Sequence, residues 1–319
     1  MGIKIAGLGK AVPKMVLDND QLSERVDTSS EWIQSRTGIE KRCIAVTETT
    51  EQLATSAALE AVLAANIEAS QIELVIVATV SPDTTMPSTA CLVARNIGAH
   101  QATCFDVTAA CSGFIFASEV AVSMMRQGIY KNALVVGAEV LSKMVDWEDR
   151  STCILFADGA GAVLYTRDES EQILAIETGS NSKEADQITL PAGVGNHVFY
   201  EVEESKQIIQ MAGRAVYVFA TTQVPESIRR ILEKVQLTPQ EIDHYILHQA
   251  NSRIMDHVAQ RLGVDKERFF KNLAQYGNTS AASIPMALYD AQPLLKPGDY
   301  IILSGFGAGL TWGTMLLKW

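Results

Sequence analysis

The sequence predicts an α/β fold built from two similar halves, and three observations carry that expectation. Short β-rich runs recur along the 319 residues, with helical stretches between many of them. The runs are apolar nearly throughout, as strands covered on both faces are. Segments of the first half are also echoed in the second, in the same order. "IELVIVAT" (72–79) resembles "IDHYILHQ" (242–249), "NALVVGAE" resembles "DYIILSGF", "GAGAVLYT" resembles "GTMLLKW", and "CFDVTAACSG" falls opposite "FFKNLAQYGNTSAAS". The halves are therefore expected at 1–170 and 171–319, with a site between them.

Taken in order, the N-terminal "MGIKIAGLGKAVP" alternates as a strand does. "TEQLATSAALEAVLAAN" (50–66) has the i, i+3, i+4 spacing of a helix. "ELVIVATV" (73–80) and "ATCFDV" (102–107) read as strands, and "CSGFIFASEVAVSMMRQG" as the helix that follows the second of them. "NALVVGA" (132–138) and "ILAIETG" (173–179) are further strands. In the second half, "HYILHQA" (244–250) is a strand, "RIMDHVAQRLG" (253–263) a helix and "YIILSGF" (300–306) a strand. No low-complexity linker separates the halves, so they are expected to form one body.

Composition narrows the function. With 47% hydrophobic and 20% charged residues the chain is globular, and its net charge of −11 disfavours nucleic acid as a partner. Five cysteines with no C-x-x-C pair fit a reducing cytoplasm and no zinc or redox site. No apolar signal core is present, and no uncharged apolar run reaches the roughly 18 residues of a membrane helix. "GLGKAV" (7–12) lacks the third glycine of a dinucleotide fingerprint, and nothing matches G-x-x-x-x-G-K-[ST] or H-E-x-x-H.

Three residues stand out, each with a plainer alternative. Cys111, between a strand and a helix, is either a buried thiol, the commoner state of a free cysteine, or a nucleophile. In the second case the helix N-terminus is expected to pull its pKa below the usual ~8.5. His248 ends the strand run "DHYILHQAN", where α/β folds present catalytic groups, although a lone histidine is more often structural; His100, His197, His244 and His257 are read as structural. Asn278, in "YGNTSAAS", is by itself a good turn or capping residue. By the internal echo Asn278 and Cys111 fall at corresponding places.

These residues and their motifs resemble the β-ketoacyl-acyl carrier protein synthases of the type III, initiating class, within the thiolase-like fold. The similarity runs through "TSSEWIQSRTGI" (28–39), "DVTAACSGF", "ILFADGAGAVL" (154–164), "LHQAN" (247–251), "GNTSAAS" (277–283) and "GFGAG" (305–309). It implies two halves with five-stranded mixed sheets in an α-β-α-β-α body, usually as a homodimer. It also implies a ping-pong reaction in which Cys111 takes the acyl group of a short acyl-CoA, the acyl-CoA being a substrate, with no cofactor and no metal. Malonyl-acyl carrier protein then loses carbon dioxide, and its enolate attacks the acyl-enzyme. His248 and Asn278 would be the neutral donors that stabilise the enolate, and the backbone N–H groups of Cys111 and Ala308 would hold the other oxyanion. Ala308 departs from the family's run of three glycines, which puts that loop's geometry in question.

The same resemblance assigns Trp32, Arg36, Arg150 and Thr28 to the CoA nucleotide and Asn251 to the pantetheine. Met86, Leu141 and Phe156 are expected in the acyl pocket, Met86 reaching across the dimer. An acidic carrier protein needs a basic surface despite the overall charge; the candidates are Arg253 and Arg261, within a stretch (253–271) that also holds Lys266, Arg268 and Lys271, joined by Arg214. Rival readings are a polyketide starter enzyme, a hydroxymethylglutaryl-CoA synthase, which expects a further carboxylate such as Glu73 or Asp83, and a catalytically silent binding subunit.

Overall fold

A computed structural model describes residues 1–192 and 207–319; His197 lies outside the described residues. The first sheet has five strands in the order Gly2–Ala11, Asp158–Asp168, Asn132–Val140, Leu74–Ala78, Thr103–Val107. Its last three strands are mutually parallel and the other pairings antiparallel, so the sheet is mixed. The second sheet runs Ile173–Ser180, Thr311–Lys318, Tyr300–Gly307, His244–Leu247. Position by position this repeats the first order, which is the internal echo made physical.

The repeat is incomplete at one edge. Where the first sheet has Thr103–Val107, the second has only a parallel bridge between Tyr245 and Phe269. The expected five-strand ladder thus closes to four strands plus that bridge. Phe269 stacks on Tyr245 with ring centroids 4.6 Å apart, and Phe270 N–H donates to the Tyr245 carbonyl at 2.9 Å. Beyond Phe270 the chain turns into the short helix Leu273–Tyr276, which leads to Asn278.

Alternation of side chains across each strand builds three apolar layers. Leu74 and Ile76 face inward, to a central cluster shared by both sheets, while Val75 and Val77 face the helices Thr50–Ala65 and Thr89–Ile97. Ile246, Ile301 and Leu303 face the same centre from the second sheet, with Tyr245, Leu247 and Ile302 turned to the helices Gly213–Val235 and Ser252–Leu262. The centre holds the helices Gly113–Arg126 and Ser283–Ala291, one from each half. The body is therefore α-β-α-β-α. Among the described residues no helix is long and apolar enough to cross a membrane.

Both central helices begin in the same way. A single 3-10 turn, Ala110–Ser112 in one half and Ser280–Ala282 in the other, opens with a non-glycine residue in the left-handed region, Ala110 at φ 46° and Ser280 at φ 49°. Such backbone costs on the order of 1–3 kcal/mol and persists where packing enforces it. Gly137 supplies some of that packing, because a Cβ there would lie 2.2 Å from the Ala281 carbonyl oxygen.

Replacing Gly137 with alanine should force this turn off the sheet. Urea unfolding of Gly137→Ala is expected to show a loss of about 1–3 kcal/mol; an unchanged midpoint would mean that the close approach does not exist.

Candidate active site

Cys111 sits in the 3-10 turn that leads into Gly113–Arg126, the helix N-terminus the sequence predicts. It opens onto a cavity of ≈ 270 Å³ whose wall also includes His248, Asn278, Leu141, Phe156 and Ala308. The expected fall in the thiol pKa is not found. Loss of water around the sulfur pushes it up to about 12, against the Ser280 hydroxyl that hydrogen-bonds it, and the nearby Glu139 carboxylate pushes the same way. Burial outweighs the helix terminus because a terminus stabilises a charge by only ~0.3–1 kcal/mol, or ~2 in favourable geometry, whereas desolvating an ion costs several.

His248 follows the strand His244–Leu247 and is 2% exposed. Burial alone lowers its pKa to about 3, so the ring is neutral. Its Nδ1 lies 2.7 Å from Ser283 Oγ, and that oxygen also accepts the Gln249 N–H at 3.3 Å. Among the described residues the Ser283 hydroxyl has no other acceptor, so its proton goes to Nδ1 and the imidazole proton sits on Nε2. Phe306 packs edge-on against the ring at 5.2 Å and fixes its plane.

Asn278 is held by its backbone across to the other half. Its N–H donates to the Leu155 carbonyl and its carbonyl accepts from Ala157 N–H, both at 2.9 Å. Its side-chain Oδ1 accepts Ser280 N–H at 2.9 Å, which leaves the amide N–H groups as the part free for a ligand. The cavity thus carries a sulfur and two uncharged donor side chains. Gly307 passes close by, since a Cβ on it would meet Cys111 N at 2.7 Å. In the same loop the left-handed conformation falls on Gly309 at φ 127°, and Ala308 is not among the positive-φ residues. The question raised by alanine at 308 is answered by that division of labour.

At the rim, Trp32 and Arg36 lie on the helix Ser30–Thr37, which Ser29 caps through Trp32 N–H and which ends at left-handed Gly38. The guanidinium groups of Arg36 and Arg150 lie 5.8 and 5.2 Å from the Trp32 ring centroid. Arg150 also donates to the Asp27 carbonyl at 2.8 Å. Thr28 beside it has a shielded hydroxyl oxygen with no hydrogen-bond partner. Asn251 lines the cavity, donates to the Arg36 carbonyl at 3.0 Å and caps the helix Ser252–Leu262. The residues expected for the nucleotide are therefore contiguous with the sulfur's cavity.

Other candidates are placed elsewhere. Met86 is 86% exposed and does not line its own chain's cavity. Arg253 is exposed in the first turn of the helix after Asn251, and Arg261 lies two turns on, about 12 Å along the axis. Arg214 is exposed in a separate surface groove. Two cations of the basic stretch are already used: Arg268 donates to the Gln240 and Ile242 carbonyls at 2.7 and 2.6 Å, and Lys271 pairs with Asp256 at 2.5 Å. Glu73 and Asp83 accept backbone N–H groups, from Lys131 and Asn132 and from Thr50 and Glu51 respectively, and neither faces the cavity. The sequence reading missed Ser283, Ser280 and Glu139, the last marked only by a single charge at the end of the apolar run "NALVVGAE".

Comparison with known proteins follows the geometry. Residues 105–182 match the family model for 3-oxoacyl-[acyl-carrier-protein] synthase III, and residues 232–319 match the model for the C-terminal part of the same family. A curated relative from Clostridium botulinum (strain Okra / Type B1), beta-ketoacyl-[acyl-carrier-protein] synthase III, is 46% identical over 99% of this chain and 98% of its own length. The crystal structure of 3-oxoacyl-[acyl-carrier-protein] synthase III from Aquifex aeolicus VF5 superposes with a TM-score of 0.94 at 44% identity, covering both chains fully. That from Pseudomonas aeruginosa PAO1 gives 0.94 at 38% identity, over 100% of this chain and 98% of its own. With identity at this level along its whole length, the chain belongs to the 3-oxoacyl-[acyl-carrier-protein] synthase III family, condensing acyltransferases of thiolase-like fold.

Proposed function

We propose that this chain carries out the opening condensation of fatty acid synthesis, joining a short acyl group from acyl-CoA to malonyl-acyl carrier protein with loss of carbon dioxide. The observation that supports this best is the convergence of the Cys111 sulfur with the neutral donors of His248 and Asn278 on one cavity. Cys111 attacks the thioester carbonyl, and the backbone N–H groups of Cys111 and Ala308 receive the oxyanion. The acyl group stays on sulfur while CoA departs. Malonyl thioester then takes its place with its carbonyl oxygen against His248 Nε2–H and the Asn278 amide. Decarboxylation drives negative charge onto that oxygen, where fixed dipoles in a site free of water are worth most. Neutral donors suit the step: a charged imidazolium would be costly in this site, as the ring's lowered pKa indicates.

Trp32, Arg36, Arg150 and Thr28 are assigned to the CoA nucleotide and Asn251 to the pantetheine arm. Leu141 and Phe156 bound the acyl chain. Arg253, Arg214 and Arg261 receive the acidic carrier protein, with Arg253 nearest the cavity mouth. A homodimer accounts for the exposure of Met86, which would complete the acyl pocket of the partner subunit.

Incubation with acetyl-CoA followed by mass spectrometry should give an acetyl adduct on Cys111 and none in Cys111→Ala; an unmodified wild-type thiol would make the chain a silent member of its family. His248→Ala and Asn278→Ala should still form the adduct while condensation falls roughly 100- to 1,000-fold each. Loss confined to acylation would overturn their assignment to the enolate. Because the imidazole stays neutral, condensation should show no inflection from His248 between about pH 5 and 8. Rates over a panel of acyl-CoA primers should shift toward the shortest ones in Met86→Phe, and an unchanged preference would remove Met86 from the pocket.

A further inference from the structure

The resting thiol is protonated, so acylation needs somewhere for its proton to go. His248 is a poor recipient, with Nδ1 committed to Ser283 and the proton already on Nε2. Another titratable group is linked to the turn that opens with Ser280. Glu139, next to last in the strand Asn132–Val140, is 0% exposed. Its Oε2 accepts from Thr79 Oγ1 at 3.2 Å, Val80 N–H at 3.1 Å and Ser81 Oγ at 2.5 Å. Its Oε1 accepts from Ser280 Oγ at 3.2 Å. Ser280 lines the cavity together with Cys111, and with its own proton given to Glu139 its oxygen can only accept from the thiol. Among the described residues no basic side chain forms an ion pair with Glu139. A carboxyl buried among neutral donors is expensive to retain for structure alone.

We propose that Glu139 holds the Cys111 proton while the acyl-enzyme exists, receiving it and returning it through the Ser280 hydroxyl. This rests on the condensing activity set out above. In acylation the Sγ–H bond breaks as the Sγ–C bond forms; the proton passes to Ser280 Oγ, and the serine's own proton passes to Glu139 Oε1. The acyl carbon's bond to the CoA sulfur then breaks, and CoA leaves as a thiolate that takes a proton from solvent. In the second half-reaction the enolate carbon displaces sulfur, the Sγ–C bond breaks with its electron pair on sulfur, and the proton returns by the same path. Ser280 touches the reacting atom; Glu139 acts through it, as a positioning residue.

The electrostatics of the pair agree with this. Burial raises the Glu139 carboxyl to about 7, against the hydrogen bonds from Ser81, Val80, Ser280 and Thr79 that favour its ionised form. It can therefore gain and release a proton near neutrality, and Cys111 is the titratable group that faces it. The left-handed turn is what aims Ser280. Alanine can adopt that turn, because Ala110 does so at the corresponding position with φ 46°. Ser280→Ala thus tests the path without depending on how well a variant of Glu139 folds.

The experiment is single-turnover acylation of the full-length protein by acetyl-CoA, read as CoA release across pH 5.5 to 9 or about that range. The wild-type rate should rise with pH through about 7 and level off, as the carboxylate forms. Glu139→Gln and Ser280→Ala should each slow acylation roughly 100-fold and flatten that rise, the double variant should be no slower than either single one, and Glu139→Asp should restore part of the rate. Wild-type rate and pH profile in Ser280→Ala, or in a folded Glu139→Gln, would overturn the proposal, as would additive losses in the double variant. Failure of the wild-type protein to acylate would instead strike the function on which the proposal rests.

Discussion

The meeting of the two left-handed turns at the centre of the molecule is the constraint on which the site depends. Ala110 and Ser280 open equivalent turns, one from each half, at the heads of helices sandwiched between the sheets. Each turn faces the other half: Gly137 of the first sheet touches Ala281, and Gly307 of the second touches Cys111. Glycine is required at both places because a Cβ would strike backbone. The duplicated architecture thus delivers a sulfur from one copy and a carboxamide from the other.

Burial then decides the protonation states. Three titratable groups, the half-buried Cys111 and the buried His248 and Glu139, lie at or next to the cavity, and burial shifts each toward its neutral form. Neutrality is useful here for two separate reasons. A neutral imidazole with Nε2–H can donate to a developing enolate, and a protonated thiol stays inert until a thioester arrives. The activity is thereby tied to the presence of substrate rather than to a permanently reactive sulfur.

Much of this could be read from the residues. The apolar runs located the strands, and the echo between "IELVIVAT" and "IDHYILHQ" pointed to two similar halves, whose equivalent strands occupy equivalent places in the two sheets. Cys111, His248 and Asn278 converge as their positions at element ends suggested. What failed did so where tertiary contacts override local pattern. The thiol's place at a helix start argued for ionisation, but desolvation depends on neighbours that local sequence does not reveal. Arg268 and Lys271 counted as free cations until their carbonyl and carboxylate partners were seen. The fifth strand of the second half shrank to a bridge at Phe269. Glu139 sat unremarked in an apolar run, since its significance lies in Ser280, 141 residues away.

The central claim is that the cavity keeps the nucleophile protonated until substrate binds. The difference in ultraviolet thiolate absorbance between the wild-type protein and Cys111→Ala, followed as a function of pH, measures this directly. The structure predicts no signal from Cys111 at neutral pH and none below about 9, with the thiol near 12. A thiolate that forms with a midpoint at or below about 7 would contradict the account, restoring the helix terminus as the dominant influence on the sulfur.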